Sequence, residues 1–239
     1  MKNFKNRKSK TLIFGGSKGI GKIIFEMFRK NKEDAYTFSR KKNSDRNIQV
    51  DLSKQKSIDQ MLKKQFFKNI KIKNIVFCQR HRGEDVQDHV NVSVIATEKL
   101  IKKFERYMIK GCSIVFINSI ASKYIVSEQN LGYHISKSAL GTLTKFYAIK
   151  FGGKQIRVNS ISPGTVIKPE STKFFKSNKE FKIISQHTIP LKRLCNTDDI
   201  ANLVEFLCGK KASYITGQNI FLDGGLSCIG HESIARKLI

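Results

Sequence analysis

A short apolar run, Thr11–Phe14, passes directly into Gly15-Gly16-Ser17-Lys18-Gly19-Ile20-Gly21, and helical periodicity follows to about Arg29. Few folds accept a strand, a glycine-rich turn and a helix in that order. Glycines permit a tight turn and let the backbone approach a bound group, while the positive end of the following helix attracts anions. The context therefore predicts a dinucleotide site, with Gly15, Ser17, Lys18, Gly19, Ile20 and Gly21 as contacts. The spacing here is G-x-x-x-G-x-G rather than G-x-G-x-x-G.

The rest of the chain repeats the alternation. Short apolar runs at Ala35–Ser39, Ile48–Asp51, Lys73–Cys78, Ser113–Asn118, Gln155–Ile161 and Asn219–Leu222 read as strands. Between them, Ser57–Phe67, Val90–Met108, Leu131–Phe151 and Thr197–Cys208 have helical periodicity, with Asp51 or Ser53 available to cap the first of these. The stretch 165–190 is polar, with aromatics and lysines but weak periodicity. Apolar strands alternating with helices predict an α/β fold: a Rossmann-type, doubly wound parallel sheet of about seven strands with helices on both faces. No repeat or linker interrupts residues 10–239, so they read as one domain behind a basic tail, 1–9.

The ribose-binding position lies at the end of the second strand, about twenty residues past the turn. An acid there would bond a 2′-hydroxyl and repel a 2′-phosphate. This chain carries Ser39-Arg40-Lys41, with Lys18 in the turn itself, so the expected cofactor is NADP(H) ahead of NAD(H).

The net charge of +26 spreads from Lys2 to Lys237 rather than forming a patch, and Ile and Asn are abundant while Ala is scarce. Such a bias follows from an A- and T-rich genome, and scattered charge gives only salt-sensitive, non-specific affinity for nucleic acid. The five cysteines have no C-x-x-C spacing and the five histidines are dispersed, so no metal site is expected. Reduced thiols fit a cytoplasmic protein. The apolar run behind the basic start is too short for a signal peptide, and no window approaches a membrane span.

Tyr133-His134-Ile135-Ser136-Lys137 sets a phenol and an ammonium four residues apart, hence on one helix face. The cation favours the phenolate and lowers a tyrosine pKa from about 10, as a proton donor working near neutrality requires. Ser119 lies fourteen residues upstream.

Together these residues resemble the short-chain dehydrogenase/reductase family in its compact form, over about residues 10 to 228. Phe14-Gly15-Gly16-Ser17-Lys18-Gly19-Ile20-Gly21 is similar to its T-G-x-x-x-G-x-G, Val50-Asp51-Leu52 to its adenine-contacting D-[VL], and Ile117-Asn118-Ser119 to the strand end bearing its catalytic Ser. Asn91-Val92-Ser93 matches the Asn of its catalytic tetrad. Arg157 to Gly164 resembles the segment beside the nicotinamide, and Ile189-Pro190-Leu191-Lys192-Arg193, Asp199-Ile200-Ala201 and Tyr214 to Gly225 also look like family hallmarks.

The resemblance implies roles. Tyr133 would exchange a proton with the carbonyl oxygen as hydride passes to or from C4 of the nicotinamide, and Ser119 would hold that oxygen. Lys137 would lower the Tyr133 pKa and hold the nicotinamide ribose, while Asn91 would position a water leading to Lys137. Asp51, Leu52, Cys78, Pro163, Gly164 and Val166 join Tyr133 and Lys137 among the cofactor contacts. The family's habit implies a homodimer or homotetramer through the helices near 90–108 and 131–151.

Departures bear on substrate. Phe77-Cys78-Gln79-Arg80 replaces the family's N-N-A-G, Lys168 stands at the Thr of P-G-x-x-x-T, and the segment from Arg80 to Asn91 is shorter than in 3-oxoacyl-ACP reductases. Arg80 and Arg82 read as contacts for an anionic substrate, or as solvated side chains, one of them paired with Glu84 or Asp85. The expectation is a small, polar or anionic metabolite such as a sugar derivative. A 3-oxoacyl-ACP or acetoacetyl-CoA reductase is the alternative. A non-catalytic NADP sensor or nucleic-acid binder is the alternative of another class.

Overall fold

Seven parallel strands form the sheet in the order β3-β2-β1-β4-β5-β6-β9. These are β1 Lys10–Phe14, β2 Asp34–Ser39, β3 Asn47–Gln49, β4 Ile72–Phe77, β5 Met108–Ile117, β6 Arg157–Pro163 and β9 Asn219–Leu222; β7 Val166–Ile167 and β8 Cys195–Asn196 make a small separate ribbon. The computed structural model describes residues 9–42 and 44–236. The expected basic tail, apart from Ser9, lies outside them.

Helices α1 Gly19–Lys30 and α8 Thr197–Cys208 cover one face, burying Ile24, Phe28, Ile200, Val204 and Leu207 against Ile13, Val76, Val115 and Ile161. On the other face α2 Gln55–Leu62, α4 Ala96–Phe104 and α5 Leu131–Gly152 bury Ile58, Met61, Leu100, Phe104, Leu140 and Phe151. Strands covered on both sides read as continuous apolar runs, which is why their positions were legible. The strand order reverses between β1 and β4, opening a crevice at the carboxyl ends of the strands.

Four phenylalanines form a ladder just below that crevice. Phe14 stacks on Phe38 at 4.5 Å and on Phe77 at 5.2 Å, and Phe77 on Phe116 at 5.5 Å. They are register partners on adjacent strands. Phe14 and Phe77, two departures from the family pattern, are thus one feature of this chain: rings stacked across adjacent strands.

Several boundaries differ from expectation. The helix expected over Val90–Met108 begins earlier, as α3 Val86–Val90, because the Asp85 carboxylate accepts from Asp88 N at 2.7 Å and caps it. It then takes a π-helical turn over Asn91–Ile95 and ends at Phe104, and β5 starts at Met108. Asp51 does not cap α2; its Oδ1 accepts from Ser53 Oγ (2.8 Å) and N (3.1 Å), and α2 starts at Gln55 without a side-chain cap. The weakly periodic stretch 165–190 holds α6 Thr172–Ser177 and α7 Lys179–His187, whose Phe174, Phe175 and Phe181 pack on one another instead of the main core.

Candidate active site

The glycine turn has the geometry a dinucleotide needs. Gly15 has φ +82°, and a Cβ there would meet Gln79 N at 2.7 Å, so only glycine lets β1 pass that close to the end of β4. A Cβ at Gly21 would lie 2.4 Å from Gly15 O. Lys18 stands at the N-cap of α1 with no side-chain cap bond, and no acid occupies the first turn, so nothing within the helix neutralises its positive end. Ser17 and Ile20 are half-buried in the turn, and Lys18 is exposed. Gly15 N donates to Phe38 O at 2.8 Å, which sets Ser39 beside the turn.

Beyond Ser39, Arg40 and Lys41 are exposed at the carboxyl end of β2, and neither ion-pairs with a carboxylate among the described residues. The turn is pinned by Ser39 Oγ donating to Lys41 O (2.9 Å) and Gln49 Nε2 donating to Arg40 O (3.0 Å). Asp51 and buried Leu52 follow β3. Cys78 N donates to Phe14 O at 2.8 Å, and burial pushes its thiol up to about 12, so it stays a neutral wall. Pro163 is buried at the end of β6, and Gly164 and Val166 lead into β7. These residues fit a dinucleotide lying across the crevice.

Tyr133, Lys137 and Ser119 come together at the carboxyl ends of β4 and β5. Asn130 caps α5 by accepting from Tyr133 N at 2.9 Å, which fixes the first turn that carries the phenol. Lys137 is 3 % exposed; its Nζ donates to Ile117 O at 2.8 Å and lies 5.5 Å from the Tyr133 ring centre. Burial works against the Tyr133 phenolate, but the Lys137 charge, a hydrogen bond with Ser119 and the nearby Arg80 outweigh it, and the phenol sits below its usual range. Burial, followed by Arg80, likewise depresses Lys137, while Tyr133 opposes this. Ser119 Oγ also accepts from Ala121 N at 3.2 Å. Its neighbour Asn118 buries a side-chain amide with no protein partner on either atom.

Asn91 opens the π turn, where Ala96 N bonds Asn91 O. Its side-chain oxygen accepts from Gln87 Nε2 at 3.0 Å, so it is not in direct bond with Lys137, which is spoken for by Ile117. Arg80 is brought in closely, its guanidinium 5.5 Å from the Tyr133 ring centre. Arg82 is exposed on the same pocket wall. Neither pairs with Glu84 or Asp85: Glu84 accepts from Asn130 Nδ2 (3.3 Å), and Asp85 is the helix cap. The pocket, about 390 Å³, is lined by Arg80, Arg82, His89, Asn130 and Tyr133 among others.

Sequence reasoning missed His81 and His89. Their rings meet edge-on at 5.0 Å, and His89 sits 6.2 Å from the Tyr133 ring with its Nε2 2.9 Å from Gly83 O. Only the proximity of His89 to Asn91 in the chain hinted at this. It also missed how Lys168 crosses the crevice. A Cβ on Gly19 would touch Lys168 Cδ at 3.3 Å and Glu170 Oε1 at 3.2 Å, so these two side chains lie over the glycine turn. His134, between the two motif residues, is structural: its ring nitrogens lie 3.0 Å from Ala121 O and 3.2 Å from Val126 O, tying down the loop after Ser119.

A parallel sheet with this crevice and this Tyr-Lys-Ser set defines a nicotinamide-type oxidoreductase, and comparison with known proteins agrees. A family model described as enoyl-(acyl carrier protein) reductase matches residues 18–227. A glucose 1-dehydrogenase of Gluconobacter oxydans (strain 621H) is 33 % identical over 151 residues, 62 % of this chain and 56 % of that protein; the chain thus spans little more than half that relative's length. The crystal structure of a short chain dehydrogenase family protein from Francisella tularensis subsp. tularensis SCHU S4 superposes with a TM-score of 0.80 at 28 % identity, over 93 % of this chain and 100 % of that one. A 4-hydroxyisoleucine dehydrogenase complexed with NADH gives 0.82 at 26 %, also over 93 % and 100 %. The chain belongs to the short-chain dehydrogenase/reductase family, whose members are oxidoreductases that bind nicotinamide cofactors. Among the described residues no helix is long and apolar enough to cross a membrane.

Proposed function

We propose that residues 10–239 form one catalytic domain that interconverts a carbonyl and a secondary alcohol, using NADP(H) in preference to NAD(H). The observation that carries this is the Tyr133 phenol held below its usual pKa by buried Lys137, with Ser119 in hydrogen-bonding reach. When bound, the cofactor supplies or accepts the hydride at its nicotinamide ring. Tyr133 gives a proton to the carbonyl oxygen in reduction and takes it back in oxidation. Ser119 holds that oxygen and stabilises the charge growing on it. Lys137 keeps the phenol acidic enough to act near neutrality, and its buried ammonium faces the ribose position. Asn91, at the π turn against α5, orients a water toward Lys137. The glycine turn and the open end of α1 hold the pyrophosphate, while Cys78, Pro163, Gly164 and Val166 wall the nicotinamide side. Asp51 and Leu52 border the adenine.

The NADP preference rests on the Ser39 hydroxyl and on Arg40, Lys41 and Lys18, cations with no carboxylate partner among the described residues where a 2′-phosphate would lie. The substrate is a small polar or anionic molecule, for which a sugar derivative is the first candidate. The printed name of the Gluconobacter relative supports a polyhydroxylated substrate, and unpaired Arg80 and Arg82 support an anionic one. The work takes place in the cytoplasm, in keeping with five free cysteines, and involves no specific nucleic acid.

A homodimer or homotetramer is supported by an apolar face on α5. Leu131, Ile135, Phe146 and Ile149 are exposed and, at 100° per residue, fall within about 60° of one another. The decisive experiment for the reaction is NADPH oxidation by the purified chain over keto-sugars, oxoacyl thioesters and small ketones, beside Tyr133→Phe. If Tyr133→Phe turns any substrate over at the wild-type rate, the reading fails.

A further inference from the structure

The cations around the Tyr133 hydroxyl restrict the substrate more narrowly than "polar or anionic". Arg80 lies over the phenol ring and within hydrogen-bonding reach of its oxygen. Lys168 is half-buried, its stem along Gly19, close enough to Arg80 and Arg82 to feel both charges. None of the three has a carboxylate within 4.0 Å among the described residues. Glu170 lies beside Lys168 over Gly19 and offsets part of its charge without forming an ion pair; the other neighbouring acids are turned elsewhere. Asp85 caps α3, Glu84 accepts from Asn130, Asp88 faces His81 at 3.9 Å, and Glu128 lines the pocket without pairing.

Three cations beside a fourth, buried Lys137, repel one another unless an anion joins them. Arg80 is exposed at the pocket, its guanidinium over the Tyr133 ring and without an internal counter-ion, and a planar guanidinium matches a carboxylate in two parallel bonds. The distance from the reacting atoms is what discriminates. A carbonyl oxygen bonded to Tyr133 and Ser119 has Arg80 as its next neighbour, because Arg80 reaches the same phenol oxygen. An acid group that uses Arg80 must therefore sit beside the carbonyl. In 2-oxo and 3-oxo acids the keto and carboxylate oxygens lie side by side in an extended conformer; from 4-oxo acids onward the chain has to fold back.

We propose that Arg80, backed by Arg82 and Lys168, seats a carboxylate one or two carbons from the reacting carbonyl, so that the substrates are 2-oxo or 3-oxo acids and the corresponding hydroxy acids. This rests on the hydride-transfer reading above. The reaction balances as oxo acid plus reduced cofactor plus one proton giving hydroxy acid plus oxidised cofactor, with the carboxylate unchanged.

The test uses the full chain with saturating reduced cofactor at low salt. Rates with 2-oxobutanoate, 3-oxobutanoate and 4-oxopentanoate are compared with those for their methyl esters, which keep the carbonyl and lose the charge. The 2-oxo or 3-oxo acid should exceed its ester in kcat/KM by about 10- to 100-fold, the worth of a charge-assisted bond, and 4-oxopentanoate should not exceed its ester. Arg80→Ala should bring the acid-to-ester ratio close to one. Any change in Tyr133 caused by that substitution acts on acid and ester alike and cancels. Esters turned over as well as acids, or a ratio that survives Arg80→Ala, would overturn the proposal.

Calorimetric titration of 2-oxobutanoate and 3-oxobutanoate into the chain with oxidised cofactor separates the two readings. Binding of either acid that is lost in Arg80→Ala, with no turnover of any carbonyl compound, supports the carboxylate seat and sinks the hydride-transfer reading. Reduction of neutral ketones with no binding of either oxo acid sinks the carboxylate seat alone. Absence of both sinks both.

Discussion

Lys137 Nζ donates to Ile117 O at 2.8 Å while standing 5.5 Å from the Tyr133 ring centre. The one bond ties α5 to the end of β5, two residues before Ser119, and holds the charge under the phenol. Replacing Tyr133 by Phe removes the proposed proton donor and leaves this tie intact. Turnover should fall by at least about 10²-fold with cofactor affinity little changed, checked by single-turnover kinetics and fluorescence titration. A loss of cofactor binding equal to the loss of rate would contradict the assignment.

The same cations set the pH profile. In the proposed reaction reduction needs protonated Tyr133, so it should decline as pH rises through a pKa held below the usual phenol range, while oxidation gains over the same interval. Arg80→Ala removes one of the lowering charges and should move that limb toward higher pH in a kcat–pH profile. A shift toward lower pH would show that Arg80 does not act on the phenol.

Cofactor choice is read from KM values. NADPH should be preferred to NADH, and Arg40→Asp should cut that preference by about 10-fold or more, since it exchanges a phosphate partner for a repelling carboxylate. An unchanged ratio would place the discrimination elsewhere.

Glu170 lies beside Gly19, over the open positive end of α1. It opposes a pyrophosphate there. Glu170→Gln should tighten cofactor binding by about 2- to 5-fold at low salt, the scale of an exposed charge at a helix end, and the gain should fade as salt is added. Weaker binding in this variant would mean that Glu170 assists the cofactor.

Ile149→Asp tests the apolar face of α5. It should lower the molar mass measured by light scattering without unfolding the chain, because Ile149 is 86 % exposed in the single subunit.

What could be read from the sequence divides along physical lines. Strands buried on both faces announce themselves as apolar runs, so β1 and β4 fell within one residue of expectation. Motif residues such as Tyr133 and Lys137 stand at fixed offsets on one helix, and their meeting follows from helical geometry alone. Contacts between distant segments left no such trace. Phe14 and Phe77 looked like two separate departures until the register set them in one stack. His89 looked like a dispersed histidine, and Lys168 like a lost threonine, because their partners Tyr133 and Gly19 lie far away in the chain. The early start of α3 was legible after all, since Asp85 is an ordinary cap residue that periodicity alone overlooks.

The π turn at Asn91–Ile95 is an insertion the helix has absorbed. A regular helix could be restored by deleting one residue there, at no cost to the buried contacts of Leu100, Ile101 and Phe104 on its far side. The wide turn takes up that extra residue's rotation of about 100°, so α3 and α4 keep their phase against α5 despite the added length. Kept at the same length but wound as a regular helix, everything upstream would rotate by that angle and carry Asn91 and His89 away from α5, so the phasing between the two halves is held by the π turn itself.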